Sequence, residues 1–146
     1  MSLLDGYVLS VLVFLPLAGA VLVALTRRRS EALQKWMGMA VSTAVFLVSL
    51  LLVRDFRLVP QMQFVEQRPW IPSLGVSYHL GLDGLSLWLV LLTTFLTPLC
   101  LLGSWTSIER RVREFVVFML LLEAGMIGVF VSLDLFLFYV FWEAML

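Results

Sequence analysis

The chain has 146 residues, of which 62% are apolar and only 14% are charged. Soluble domains are typically about 45–50% apolar and about 25% charged, so these values argue against a soluble domain. Ten basic and ten acidic residues cancel, which leaves no positive excess of the kind that attracts nucleic acid. With one cysteine and one histidine, Cys100 and His79, an internal disulfide and a multi-cysteine or multi-histidine metal site are excluded. The composition favours an integral membrane protein.

Uncharged stretches predict four complete transmembrane helices and the start of a fifth. Residues 7–25, 36–53 and 84–108 carry no charge over 19, 18 and 25 positions. Each stretch can cross a hydrocarbon core of about 30 Å at about 1.5 Å per residue. We therefore predict an all-α membrane protein with helices over about residues 3–25, 36–53, 84–105, 115–133 and 135–146, the last of them incomplete.

The segment between the second and third predicted helices, residues 54–82, is long and interrupted by prolines and glycines. These residues disfavour a continuous helix. Asp83, directly after this segment, is expected to begin the third helix, and Asp134 is expected to be the N-cap of the fifth.

A very short turn at residues 132–134 joins the fourth and fifth predicted helices. A turn of this length makes the two helices antiparallel neighbours. Ala124, Gly128 and Ser132 place small side chains four residues apart on the fourth helix, a spacing that permits close helix approach.

Basic residues predict the orientation of the chain. The first and third connections together hold seven cations: Arg27, Arg28, Arg29, Lys35, Arg110, Arg111 and Arg113. The opposite side has three arginines spread over a much longer segment. Because short cytoplasmic loops are enriched in lysine and arginine, we predict these two connections in the cytoplasm and the N-terminus outside.

Two glutamates interrupt the apolar helices at matching depth. Glu123 lies nine residues beyond Glu114, and Glu143 lies nine residues beyond Asp134, on helices that enter from opposite sides. At about 1.5 Å per residue, each carboxyl lies roughly 14 Å deep, near the midplane. The sequence therefore predicts a pair of buried carboxyl groups.

Buried carboxyls of this kind are typical of proton relays in membranes. Desolvation disfavours the ionised carboxylate and a nearby cation favours it, so an approaching or withdrawing cation can load and release a proton. The predicted helices contain no buried lysine or arginine, so such a cation must come from another segment or chain. The alternative is structural: each glutamate stays protonated and hydrogen-bonds a neighbouring helix.

The sequence contains no G-x-G-x-x-G, no G-x-x-x-x-G-K-[ST] and no C-x-x-C motif. We therefore expect this chain to bind neither nucleotide, flavin, haem nor iron–sulfur cluster on its own. If it belongs to a redox enzyme, the electrons travel through other subunits.

Three stretches carry a family resemblance: HLGLDGLS at residues 79–86, GMIGVF at 125–130 and LDLFLFYVFWEAML at 133–146. They resemble the antiporter-like, proton-translocating subunits of respiratory complex I. Among these they are most similar to the chain M family of bacterial NADH–quinone oxidoreductases, the counterpart of mitochondrial subunit 4.

This resemblance implies a 14-helix fold with two inverted five-helix repeats, of which the sequence covers the N-terminal portion. It implies that Glu143, in the F-[FW]-E segment, is the principal acid for proton translocation. Many family members also have a glutamate at the position of Glu123, which implies a relay. The family's pairing lysine lies on the seventh helix, a position that this sequence does not contain.

The resemblance also implies the setting. The chain would lie in the inner membrane of a bacterial cell, among other complex I subunits and next to neighbouring antiporter-like subunits. NADH and quinone would be handled by other subunits, which would carry the flavin and iron–sulfur clusters, and this chain would hold no cofactor or metal. Two alternatives remain: a subunit of a cation/proton antiporter or membrane-bound hydrogenase, and a structural assembly element without transport activity.

Overall fold

The computed structural model describes residues 6–146 and contains five helices and one β-hairpin. The helices are α1 (Val8–Ala24), α2 (Glu31–Asp55), α3 (Gly84–Gly103), α4 (Val112–Val131) and α5 (Leu135–Met145). The strands are β1 (Gln63–Ile71) and β2 (Val76–Leu82), joined by a short 3₁₀ turn at Pro72–Leu74.

Three helices, α2, α3 and α4, are long and apolar enough to cross a membrane. The helix α1 is also apolar but has 17 residues, about 26 Å, and α5 has 11. Three of the four predicted complete spans are therefore supported, and a complete span at α1 stays a prediction. Residues 3–5 of the first predicted helix lie outside the described part of the chain.

The helices α2 and α4 begin earlier than predicted, at Glu31 instead of residue 36 and at Val112 instead of residue 115. Their first turns carry charged residues and therefore lie outside the uncharged stretches that define the predicted spans. Glu31 and Glu114 in these turns interact favourably with the positive end of the helix dipole. The charged turns therefore extend the helices beyond the apolar core of each span.

The all-α prediction is wrong in the segment that follows α2. Prolines and glycines exclude a helix there, but they permit two antiparallel strands closed by Gly75 in a left-handed conformation, with φ 67°. A register shift between Gln63 and Glu66, with Phe64 at φ 54°, forms a bulge in β1. The predicted absence of a continuous helix is confirmed, and the hairpin was not foreseen.

The helix α4 lies at the centre of the bundle and packs against each of the other four helices. One buried cluster joins α1, α2, the hairpin, the first halves of α3 and α5 and the last part of α4. A second cluster joins the ends of α1 and α3 to the first half of α4. This central position gives the side chains of α4 the most complete burial of any span, and Glu123 is among them.

Both predicted aspartate caps are confirmed. The Asp83 carboxylate accepts a hydrogen bond from the Ser86 amide at 2.7 Å, and the Asp134 carboxylate accepts one from the Leu137 amide at 3.1 Å. These amide donors hold the pKa of each carboxyl below its usual range. The two helices that follow therefore start where the sequence places them.

The two ends of the bundle differ in character. At one end, the guanidinium of Arg113 donates to the Thr26 carbonyl at 3.2 Å, which joins the two arginine-rich connections, residues 25–30 and 104–111. We call this the arginine-rich end. At the other end lies the hairpin, where the Leu133 amide donates to the His79 carbonyl at 2.8 Å. The predicted grouping of the basic connections on one side is confirmed.

Candidate functional site

Glu123 is buried in the centre of the bundle without a partner. Its side chain is 1% exposed, and neither carboxyl oxygen has a hydrogen-bonding partner among residues 6–146. Buried polar atoms in proteins nearly always have such a partner, so an orphaned carboxyl requires an explanation. A bound water, a nearby cation or a role in proton transfer would each explain it.

A cavity of about 230 Å³, open to the surface of the bundle, lies beside Glu123 between α3 and α4, and the exposed Leu92 and Leu96 are among its lining residues. Most of its wall is leucine, methionine and phenylalanine, and the polar groups besides Glu123 come from α3: Thr93, Thr97 and Cys100. The hydroxyls of Thr93 and Thr97 donate to the carbonyls of Leu89 and Thr93 at 2.9 and 3.0 Å. Both hydroxyl protons are therefore engaged by the backbone of α3.

Glu143 has a different environment. It lies on α5 with an exposed side chain, near the exposed Tyr139 one turn earlier. No hydrogen bond or ion pair engages Glu143 within the described residues, so its carboxylate is open to contact from outside the five helices.

The structure brings α4 and α5 together but not their two glutamates. The helices touch where Gly128 meets Phe141 and Gly125 meets Met145. Glu123 precedes Gly125 by two residues, which turns it about 200° around α4, away from α5. Glu143 precedes Met145 by two residues and is turned away from α4 in the same way. The carboxyls therefore lie on opposite outer faces of the α4–α5 pair.

The two glutamates are close to each other along the helix axis. Because Gly128 lies opposite Phe141 and Gly125 opposite Met145, Glu143 is level with residue 126 of α4. That level is about 5 Å along the axis from Glu123. The two carboxyls are thus close in depth but separated by the α4–α5 contact. A proton passing between them needs intermediate groups, because they do not touch.

A second buried acid, Glu66 of β1, was not predicted from the sequence. Its carboxylate accepts hydrogen bonds from the Leu9 amide at 2.9 Å, the Ser10 amide at 3.1 Å and the Ser10 hydroxyl. The Ser10 hydroxyl also lies 2.8 Å from the hydroxyl of Tyr78, and burial raises the pKa of Tyr78. Glu66 therefore caps the N-terminus of α1 from the hairpin.

We expect Glu66→Gln to lower the free energy of unfolding by about 1–2 kcal/mol, the usual effect of losing a helix N-cap. The amide keeps the shape but loses one acceptor and the charge that the helix N-terminus favours. Thermal unfolding of the chain in detergent, followed by circular dichroism, measures the change. Glu109→Gln, at an exposed position, is the matched control, and equal unfolding of the two variants would contradict the capping role.

Comparison with known proteins identifies the family. Residues 11–129 match the family model of NADH-ubiquinone oxidoreductase chain 4, amino terminus. The chain belongs to this family. It is 49% identical to NADH-quinone oxidoreductase subunit M of Rhodobacter capsulatus over 93% of its length, and 38% identical to NADH-ubiquinone oxidoreductase chain 4 of Arabidopsis thaliana over 94%.

A solved structure agrees with the sequence comparison. A chain in respiratory complex I from Thermus thermophilus matches 94% of this chain with a TM-score of 0.76 and 30% identity. This match and the apolar helices identify the chain as a multi-pass membrane protein of the complex I subunit M family. The chain spans 27% of the Rhodobacter protein, 28% of the Arabidopsis protein and 27% of the Thermus chain.

Proposed function

We propose that this chain is part of a proton-translocating subunit in the membrane arm of an NADH:quinone oxidoreductase. In the complete complex, other subunits oxidise NADH, reduce quinone and carry the flavin and iron–sulfur clusters. This chain contributes proton-carrying side chains and no redox centre of its own. Its partners are the other complex I subunits, above all the neighbouring antiporter-like membrane subunits.

The observation that carries the proposal is the unpartnered carboxyl of Glu123 in the most buried span. An ionisable group at membrane depth is costly, by about 2.5–3.5 kcal/mol on insertion scales. A merely structural glutamate recovers part of this cost through hydrogen bonds to a neighbouring helix. Glu123 has no such bond within residues 6–146, which favours a role in proton transfer over a structural one.

The two glutamates take different roles. Glu143 is the principal acid, exposed on α5 where a cation from another segment can approach it. Glu123 is a relay on the other side of α4, beside the cavity between α3 and α4. A change in the distance of the cation changes the charge state of the carboxyl, and proton uptake and release follow from that change.

The proposed orientation follows from charge. The arginine-rich end faces the cytoplasm of a bacterial cell, the hairpin end faces outward, and the N-terminus lies outside. The relatives described above are NADH–quinone oxidoreductase subunits, which favours that assembly over a cation/proton antiporter or a membrane-bound hydrogenase.

Replacing Glu123 with glutamine in the complete complex tests the proposal. We expect coupled proton pumping to fall several-fold while the complex still assembles, because glutamine keeps the volume but cannot carry the proton. Pumping is measured as acidification of inside-out vesicles during NADH oxidation. Glu109→Gln, exposed in the connection before α4, is the matched control. Unchanged pumping by assembled Glu123→Gln enzyme would contradict the relay role.

A further inference from the structure

A cleft at the arginine-rich end brings three arginines together between the starts of two helices. Its walls carry Arg28, Arg111 and Arg113, and also Glu31 and Glu114 in the first turns of α2 and α4. The cleft has a volume of about 310 Å³ and is open to the surface of the bundle. Three cations against two anions leave it with a net positive charge, which makes it a candidate site for an anion.

Both helices begin at this cleft without a side-chain cap. Neither N-cap residue, Ser30 of α2 or Arg111 of α4, makes a capping hydrogen bond through its side chain. The backbone hydrogen bonds of the two helices begin only at the amides of Gln34 and Phe115. The three amides before each of these therefore lack a partner within their own helix. Free amides at a helix N-terminus readily bind the oxygens of a phosphate group.

The backbone of Arg111 adopts a conformation that is unusual for arginine. Its φ of 53° and ψ of 41° lie in the left-handed region, which favours glycine. Residues held in this region cluster at functional sites, including sites that clamp a ligand. This backbone sets an arginine directly before the free amides of α4. Its exposed guanidinium takes no part in the three ion pairs found among residues 6–146, so it is available to a ligand.

The other two arginines are engaged only weakly with acidic side chains. The guanidinium of Arg113 is anchored by its bond to the Thr26 carbonyl, and a second nitrogen lies 3.8 Å from the Glu114 carboxylate. Arg28 lies 3.9 Å from the same carboxylate, and its side chain is 79% exposed. Exposed pairs of this kind contribute little to stability. Arginine binds phosphate through two parallel hydrogen bonds, so a phosphate group can replace the carboxylate as the partner.

Two tryptophans place this cleft at the level of the lipid headgroups. Trp36 and Trp105 pack edge to face, with their ring centroids 5.1 Å apart. Tryptophan is enriched at the boundary between the hydrocarbon core and the headgroups. Glu31, in the wall of the cleft, precedes Trp36 by five residues, which is about 7.5 Å along α2 towards the end of the bundle. The cleft therefore lies just outside the tryptophans, where the phosphates of membrane lipids are found.

We propose that this cleft, which we call the arginine cleft, binds the phosphate group of an anionic phospholipid and so holds the two arginine-rich connections to the membrane surface. The ligand is a phosphate diester whose oxygens accept charge-assisted hydrogen bonds from the arginines and from the free amides of α2 and α4. The net positive charge favours a headgroup with a net negative charge, such as phosphatidylglycerol, over the zwitterionic phosphatidylcholine. The arginine cleft does not depend on the proposed proton chemistry of Glu123 and Glu143.

Photocrosslinking in nanodiscs tests the choice of lipid. The complete complex is placed in phosphatidylcholine nanodiscs that contain a minor fraction of phosphatidylglycerol with a diazirine at the glycerol end of one acyl chain. Labelled residues are mapped and quantified by mass spectrometry. We expect residues 25–31 and 104–114 to be labelled several-fold more by this lipid than by phosphatidylcholine with the same diazirine. Equal labelling by the two lipids would overturn the proposal.

Substitutions in the arginine cleft test the binding residues. Arg111→Gly accepts the left-handed backbone without strain but removes the guanidinium, and Arg28→Gln changes an exposed side chain. We expect the double variant to lower labelling by phosphatidylglycerol several-fold. Arg54→Gln is the matched control, because its exposed side chain lies in the last turn of α2, at the opposite end of the bundle. Labelling of the assembled double variant at the level of Arg54→Gln would overturn the assignment of the arginines.

Soluble phosphate has the same ligand chemistry, and competition separates the two sources. Crosslinking by phosphatidylglycerol is repeated in millimolar inorganic phosphate and in chloride of equal ionic strength. We expect the two salts to reduce labelling equally, because both act only by screening the charges. Displacement by phosphate but not by chloride would identify a site for a soluble phosphate and overturn the lipid assignment. Labelling is measured without proton pumping, so failure of this proposal leaves the proposed function unaffected.

Discussion

Glu143→Ala in the complete complex is expected to lower both coupled proton pumping and quinone reductase activity by at least about tenfold. A positioned acid or base typically contributes about 10²–10⁴-fold to a proton-transfer step, and alanine removes it entirely. Quinone reduction should fall with pumping because the proposed function couples the two processes. Activity is measured as NADH oxidation with quinone, and pumping as vesicle acidification.

The comparison with Glu123 sharpens this prediction. Glu123→Ala should have the smaller effect, because in the proposed function Glu123 is a relay on the far side of α4 and Glu143 is the principal acid. Glu109→Ala, at an exposed position outside the spans, is the control for a lost carboxylate. Normal activity and an unchanged proton-to-electron ratio in assembled Glu143→Ala enzyme would refute the assigned role.

Gly128→Ala is expected to disrupt the packing of α4 against α5. A Cβ atom at residue 128 would lie within 2.6 Å of the Phe141 ring atom Cδ2 and closer to two other ring atoms. The helices must move apart or the ring must turn, and overpacking of this kind typically costs about 1–3 kcal/mol. We expect a lower yield of assembled complex and a lower melting temperature.

Gly103→Ala is the matched control, because a Cβ atom there meets nothing within 4 Å. Alanine is favoured over glycine in a helix by about 1 kcal/mol, so this variant should be as stable as wild type or slightly more stable. Combining Gly128→Ala with Phe141→Leu should recover part of the loss, since the two residues share one contact. Equal melting temperatures for Gly128→Ala and Gly103→Ala would contradict the conclusion that the contact between Gly128 and Phe141 requires a glycine.

Much of the helical architecture could be predicted from local sequence signals. The spans α2, α3 and α4 follow from apolar length, and the starts of α3 and α5 follow from Asp83 and Asp134. The contact of α4 with α5 follows from the short turn between them, and Gly128 provides the predicted close approach. In each case the determining residues lie within a few positions of the feature that they produce.

The hairpin and the facing of the glutamates could not be predicted in this way. Glu66 caps α1 from 56 residues away, and no local pattern reports a contact at that separation. Position along a helix follows from counting residues, so the sequence predicts similar depths for Glu123 and Glu143, and the structure has them about 5 Å apart along the axis. The direction in which a side chain points depends on which side of its helix meets the neighbouring helix. Here Gly125 and Gly128 form the side of α4 that contacts α5, so Glu123 points elsewhere.

The distant cap on α1 also has a consequence for biogenesis. The amide of Ser10 leaves the ribosome 56 residues before the carboxylate that accepts its hydrogen bond. During membrane insertion the first amides of α1 lack the Glu66 carboxylate as acceptor until the hairpin has reached the same end of the bundle. The hairpin in turn docks on the turn before α5, which is synthesised later still. The contacts at this end of the bundle therefore form in the order of translation, and the N-cap of α1 forms only after α2 has been inserted.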